Sequence, residues 1–128
     1  APVPVDEEGL RISDGQAMAP DANLAIVTPH AQFPTGVELS AGRRAALATW
    51  AEANDGWVIE NGYESEISLN RAEPQTLFGA ASDRVIYVNS FHRVLFPGLR
   101  IGYAVVPESL VAPIAAARSI RLRMKEPS

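Results

Sequence analysis

A hydroxyl, a guanidinium and a Pro-Gly turn stand close together in one stretch of this 128-residue chain, Asn89-Ser90-Phe91-His92-Arg93-Val94-Leu95-Phe96-Pro97-Gly98-Leu99-Arg100-Ile101-Gly102-Tyr103. Ser90 and Arg100 fall at the margins of two apolar runs, residues 85–88 and 101–106. Those runs read as buried strands because β-branched and aromatic residues dominate them. A hydroxyl and a fixed positive charge at strand margins are what a loop needs to hold a phosphate. The plainer alternative is a solvated serine and a surface ion pair. No Gly-x-Ser-x-Gly elbow and no Walker-type glycine loop occurs in the sequence, and those are the local signatures of an activated serine or a nucleotide cradle. His30 and His92 are the sole histidines and share no helical spacing with carboxylates, which weighs against a metal centre. Glu60, Glu64 and Glu66 offer carboxylates for acid–base work, but acids following a strand more often form a solvated turn.

Residues 23–28 form a first strand stopped by Pro29, and the loop to Gly36 adds polar groups at its C-terminal end. Ligands of parallel α/β sheets sit at that end. Ser40 is placed to cap a helix over residues 41–52, with Ala46, Leu47, Trp50 and Ala51 on its apolar face and Arg43, Arg44 and Glu52 in water. Asn54-Asp55-Gly56 ends that helix, Gly56 suiting a left-handed cap. A strand follows at residues 57–60, and strand–helix–strand order predicts a right-handed parallel crossover. Residues 67–83 read as a loop with one helical turn at 77–81, and residues 84–88 as the third strand. The connection 89–100 is short for a parallel crossover, so the fourth strand, 101–106, is expected antiparallel to the third. A last helix runs from about residue 109 or 112 to 124, with Pro113 in the first turn favouring the later start. Leu110, Ile114 and Ala117 are then expected to face the sheet, and the cluster Arg118, Arg121, Arg123 and Lys125 offsets the helix dipole or meets an acidic partner. Residues 1–22, with Pro2, Pro4 and Pro20, read as an extended lead-in containing one short strand at 3–5.

The size fits a single domain, long enough to bury roughly 65 to 70% of its unfolded surface. A net charge of −4 argues against direct nucleic-acid binding by this stretch. No apolar run approaches the roughly 20 residues of a membrane span. Zero cysteines exclude disulfides and thiolate metal sites. Nothing in the opening residues resembles a secretory leader, so the expected compartment is the cytoplasm.

Three segments together carry a resemblance. Ser90-Phe91-His92-Arg93-Val94-Leu95-Phe96-Pro97 resembles the Thr/Ser-Phe-Ser-Lys-Thr-Leu-Phe-Pro segment around the catalytic lysine of pyridoxal-phosphate (PLP) enzymes of the class I/II aminotransferase fold, in the version found in MocR-type regulators of the GntR family. Thr28-Pro29-His30-Ala31-Gln32-Phe33-Pro34-Thr35-Gly36 is similar to that family's Thr-Pro-Ser-His-Gln-Phe-Pro-Thr-Gly, with the histidine moved by one place. Glu60-Asn61-Gly62-Tyr63-Glu64-Ser65-Glu66 is similar to Glu-Asp-Asp-Tyr-Asp-Ser-Glu. A weaker likeness lies at residues 3–10, and the whole runs from about residue 3 to about 117.

The resemblance implies an α/β three-layer segment with a mostly parallel sheet of about four strands, the last antiparallel, as in part of the fold type I large domain. It makes residues 1–128 a single partial PLP-binding domain. It also places Ser90 and Arg100 on the cofactor phosphate, Tyr63 on its phenolic oxygen and Asn61 at the pyridine nitrogen. Two departures blunt catalysis. Arg93 stands at the lysine position, and a guanidinium stays charged and is poorly nucleophilic, so it cannot attach the cofactor covalently. The only lysine is Lys125, in the C-terminal tail. Asn61 stands at the aspartate position, where a neutral amide supplies no countercharge to the ring. The expectation is a PLP-binding segment without aminotransferase catalysis, holding PLP non-covalently if at all. The alternatives are a module of a transcription regulator that senses PLP or a small amino-acid ligand, and an interaction domain whose bare sheet edges pair in a homodimer. The family's upstream glycine segment, small C-terminal domain and DNA-binding winged helix have no counterpart in these residues.

Overall fold

A computed structural model describes residues 1–32, 34–62, 76–80, 83–91, 95, 96, 98 and 101–123. The chain runs β1 (Val5–Asp6), β2 (Gly9–Leu10), α1 (Ile12–Met18), β3 (Leu24–Val27), α2 (Ala41–Ala53), β4 (Trp57–Asn61), α3 (Leu77–Ala80), β5 (Val85–Ser90), β6 (Gly102–Val105) and α4 (Glu108–Arg123). The main sheet has the order β3-β4-β5-β6, with the first three strands parallel and β6 antiparallel to β5. This is the expected α/β arrangement.

One face of the sheet holds the core. Val27, Val58 and Val85 are buried there under Leu47, Trp50 and Ala51 of α2 and Leu77 of α3. Their β-branched side chains suit a pleated surface packed on one side. The Ser40 hydroxyl caps α2 by accepting the Arg43 N–H at 3.3 Å. At the other end the left-handed residue is Asp55, with φ 48°, rather than Gly56. Gly56 donates its N–H back to the Ala51 carbonyl at 2.8 Å, closing a Schellman turn. Its missing side chain serves packing instead, since a Cβ there would meet the Asn23 carbonyl oxygen at 3.2 Å and Trp50 at 3.4 Å.

Four further expectations are corrected. The first 22 residues are not an extended lead-in: β1 and β2 pair as an antiparallel hairpin, followed by α1, whose Ile12 joins the core. The Arg43 guanidinium holds this segment down through the Leu10 carbonyl and the Asp6 carboxylate, both at 2.8 Å. Arg43 and Arg44 are therefore not in free water; Arg44 donates to the Leu39 carbonyl at 2.9 Å and meets Glu38 at 3.2 Å. Finally, α4 begins at Glu108 and carries Pro113 in its interior. The carbonyl that a proline cannot serve is that of Ser109, an exposed residue. Ile114 and Ala117 do not face the sheet, since both are exposed.

Candidate functional site

The C-terminal ends of β4 and β5 lie side by side, because the parallel register sets Asn61 opposite Val88. Side chains alternate along a strand, so Asn61, Val88 and Ser90 share one face while Glu60, Tyr87 and Asn89 share the other. Asn61 and Ser90 are the last residues of their strands, and both are half-buried. Ser90 lies about 7 Å further along β5 than the residue opposite Asn61. The chain then leaves β5 and returns to β6, with the Phe91 N–H donating to the Ile101 carbonyl at 3.0 Å. Tyr63, Arg93 and Arg100 fall outside the described residues. Of the sequence-read site residues, the structure thus describes Asn61 and Ser90 and puts them on neighbouring strand ends.

The loop after β3 forms a turn closed on itself. The Gln32 N–H donates to the Val37 carbonyl, and Gly36, with φ 72°, donates to the Gln32 carbonyl at 2.7 Å. Thr28 and Thr35 both direct their hydroxyls at Gln32, the first to its side-chain oxygen and the second to its carbonyl.

Sequence reading missed the most deeply buried polar pair. Glu60 is fully buried and His30 nearly so, with Nε2 of His30 3.6 Å from Oε1 of Glu60. The other carboxylate oxygen accepts the Phe78 N–H at 3.0 Å, at the start of α3. Neither Nε2 nor Oε1 has a hydrogen-bond partner among the described residues. Glu60 therefore does not belong to a solvated turn. The signal was the strand register: Val27 pairs with Glu60, and His30 follows Val27 by three residues. A cavity of about 460 Å³ lies elsewhere, between the N-terminal segment and β3, lined by Val3, Ile12, Gln16, Ile26 and Trp50 among others. Neither Asn61 nor Ser90 lines it.

No family model matches the chain. Individual proteins do. The HTH-type transcriptional regulator TauR of Rhodobacter capsulatus is 40% identical over 122 residues, covering 94% of this chain and 25% of that protein. The HTH-type pyridoxine biosynthesis transcriptional regulator PdxR of Corynebacterium glutamicum is 38% identical over 118 residues, 92% of this chain and 25% of that protein. Among solved structures, the α-aminoadipate aminotransferase LysN of Thermus thermophilus, complexed with N-(5'-phosphopyridoxyl)-L-leucine, superposes with a TM-score of 0.78 at 27% identity. It covers 90% of this chain, which spans 31% of that one. This is an aminotransferase-fold segment. Its relatives include HTH-type regulators of the MocR kind, and the segment spans about a quarter of their length.

The donor set of the segment fits a phosphopyridoxyl group in one respect and not in another. A hydroxyl at Ser90 and an amide at Asn61, on one face of adjacent strand ends, suit a phosphate oxygen and a ring nitrogen. No amine stands at position 93. The group there is a guanidinium, which stays charged and is poorly nucleophilic. Among the described residues no helix is long and apolar enough to cross a membrane.

Proposed function

We propose that this segment is the ligand-recognising part of a regulator's aminotransferase-like domain, holding PLP non-covalently in the cytoplasm and doing no transamination. The observation that carries the reading is the placement of Asn61 and Ser90 on one face at neighbouring strand ends while the residue at position 93 is arginine. In this reading Ser90 and Arg100 bind the phosphate, Tyr63 meets the phenolic oxygen, and Asn61 hydrogen-bonds the ring nitrogen. When bound, the cofactor would supply an electron-accepting ring, and these residues would orient it without activating it. Arg93 would stay protonated and so would leave the aldehyde carbon unattacked.

The test is a calorimetric and absorbance titration of the chain with PLP, beside Arg93→Lys. Micromolar binding by the native chain with an unlinked spectrum, and a lysine-linked spectrum in Arg93→Lys, supports the reading. Binding by neither protein would sink it.

A second reading is favoured by the open sheet face, where Leu24 is 49% and Ile26 69% exposed. Here the segment acts as an interaction surface and pairs in a homodimer. Light scattering separates the two: a monomer that binds PLP leaves the first standing, and a dimer that does not bind it leaves the second.

A further inference from the structure

Just beyond β4 the chain passes Gly62, which is buried and donates its N–H to the Val88 carbonyl at 2.9 Å. The exit from β4 is thereby fastened to β5. A Cβ at position 62 would fall on the Tyr87 hydroxyl and come within 2.5 Å of the ring carbon Cζ and 2.7 Å of Cε2. The phenol therefore occupies the volume that any side chain at 62 would claim. The resembling sequence pattern carries aspartate at this position, and here its loss creates a seat for an aromatic ring.

The ring's hydroxyl is put to use. It accepts the Asn89 side-chain N–H at 2.9 Å, and the Asn89 side-chain oxygen accepts the Ser90 backbone N–H at 2.7 Å. Asn89 is itself 8% exposed, so its amide has little water to turn to. Across β6, Asn89 pairs with Tyr103, whose ring lies 6.2 Å from that of Tyr87 and 5.0 Å from that of Phe91. A continuous line of contacts thus runs from the residue after Asn61 to the backbone that carries Ser90. Its parts are a missing side chain, a phenol and a carboxamide.

We infer that Tyr87 and Asn89 are positioning residues for the phosphate end of the ligand, and that Gly62 is the steric condition for their arrangement. The inference rests on the proposed PLP reading. Asn89 takes up the Ser90 N–H, so Ser90 meets the phosphate through its hydroxyl and not through its backbone amide. Tyr87 fixes the carboxamide so that its oxygen faces that N–H. A buried amide turned the other way would set an NH₂ group against an N–H, two donors with no acceptor between them.

The test measures the affinities of the whole chain for PLP and for pyridoxal, which lacks the phosphate, in the native protein, Tyr87→Phe and Gly62→Ala. Tyr87→Phe removes one oxygen and keeps the ring; Gly62→Ala adds one apolar methyl just beyond β4 and unseats the ring. The expected result is that both variants lose about tenfold in PLP affinity, the worth of one buried hydrogen bond. Pyridoxal affinity should stay within about twofold. A merely structural role would instead weaken both ligands equally or leave both unchanged, and either result would overturn the inference while the PLP reading stands. If Gly62→Ala does not fold, Tyr87→Phe alone decides. Failure of the native chain to bind PLP would remove the reading and this inference together.

Discussion

The two faces of the sheet have opposite fates. On one, Val27, Val58 and Val85 lie against α2 and α3, and Glu60 and His30 are sealed in beside them. On the other, Leu24 and Ile26 stand well exposed on β3, and Ile59, Ile86 and Val88 are only half-buried. The residue types are much the same on both sides. Among the described residues, what differs is the covering layer, which one face has in α2 and its fastenings. Apolar character in a strand therefore marks a surface fit for burial, while burial itself needs a partner.

That contrast can be broken from the covered side. Glu60→Ala removes one member of a buried polar pair, deprives the Phe78 N–H of its acceptor, and leaves His30 enclosed without the carboxylate beside it. A loss of about 3 to 5 kcal/mol is expected, read as a shift of the urea midpoint. Leu47→Ala empties a position that is 2% exposed, at an expected cost of about 2 to 4 kcal/mol. Its counterpart on the open face is Ile26→Ala, which should change stability by less than about 0.5 kcal/mol in a monomeric chain. A large effect of Ile26→Ala would mean that something covers the open face in solution.

The smallest effect concerns how the N-terminal hairpin is tied to the covering layer. The Glu8 N–H at 3.0 Å, followed by the Arg43 guanidinium, holds the Asp6 carboxyl below the ordinary aspartate value of 3.8. The folded form therefore prefers the ionised carboxylate. The resulting stability is present above that ordinary value and is lost as pH falls through the lower value of the folded protein. Acid titration of Asp6→Asn should show a flatter fall in stability than the native chain, and equal slopes would refute the assignment.

Strand positions, their directions and the capping serine were legible because they follow from local composition and from connection length. The fastening of the N-terminal segment was not, since Arg43 reaches back 37 residues to Asp6 and 33 to Leu10. His30 and Glu60 were hidden for the same reason: they meet through strand register and not through spacing along the chain. The exposure of α4 was misread because an apolar side of a helix does not say whether a surface lies opposite. The motifs led to Asn61 and Ser90 but gave no hint of the hydrogen bond between Asn89 and Tyr87, whose ring fills the space above one glycine.

The hydrogen bond from Phe91 to Ile101 has a consequence for how such a segment changes over time. It joins the two ends of a nine-residue excursion, and the adjoining pairs Ser90–Gly102 and Asn89–Tyr103 continue the closure. The entropy of closing a loop depends on its length and only weakly so, about 0.6 kcal/mol per doubling. By sequence, position 93 lies inside that excursion, between the residues whose pairing closes it. The pairs that close the excursion lie outside it, so the closure and the chemistry of position 93 are set by different residues.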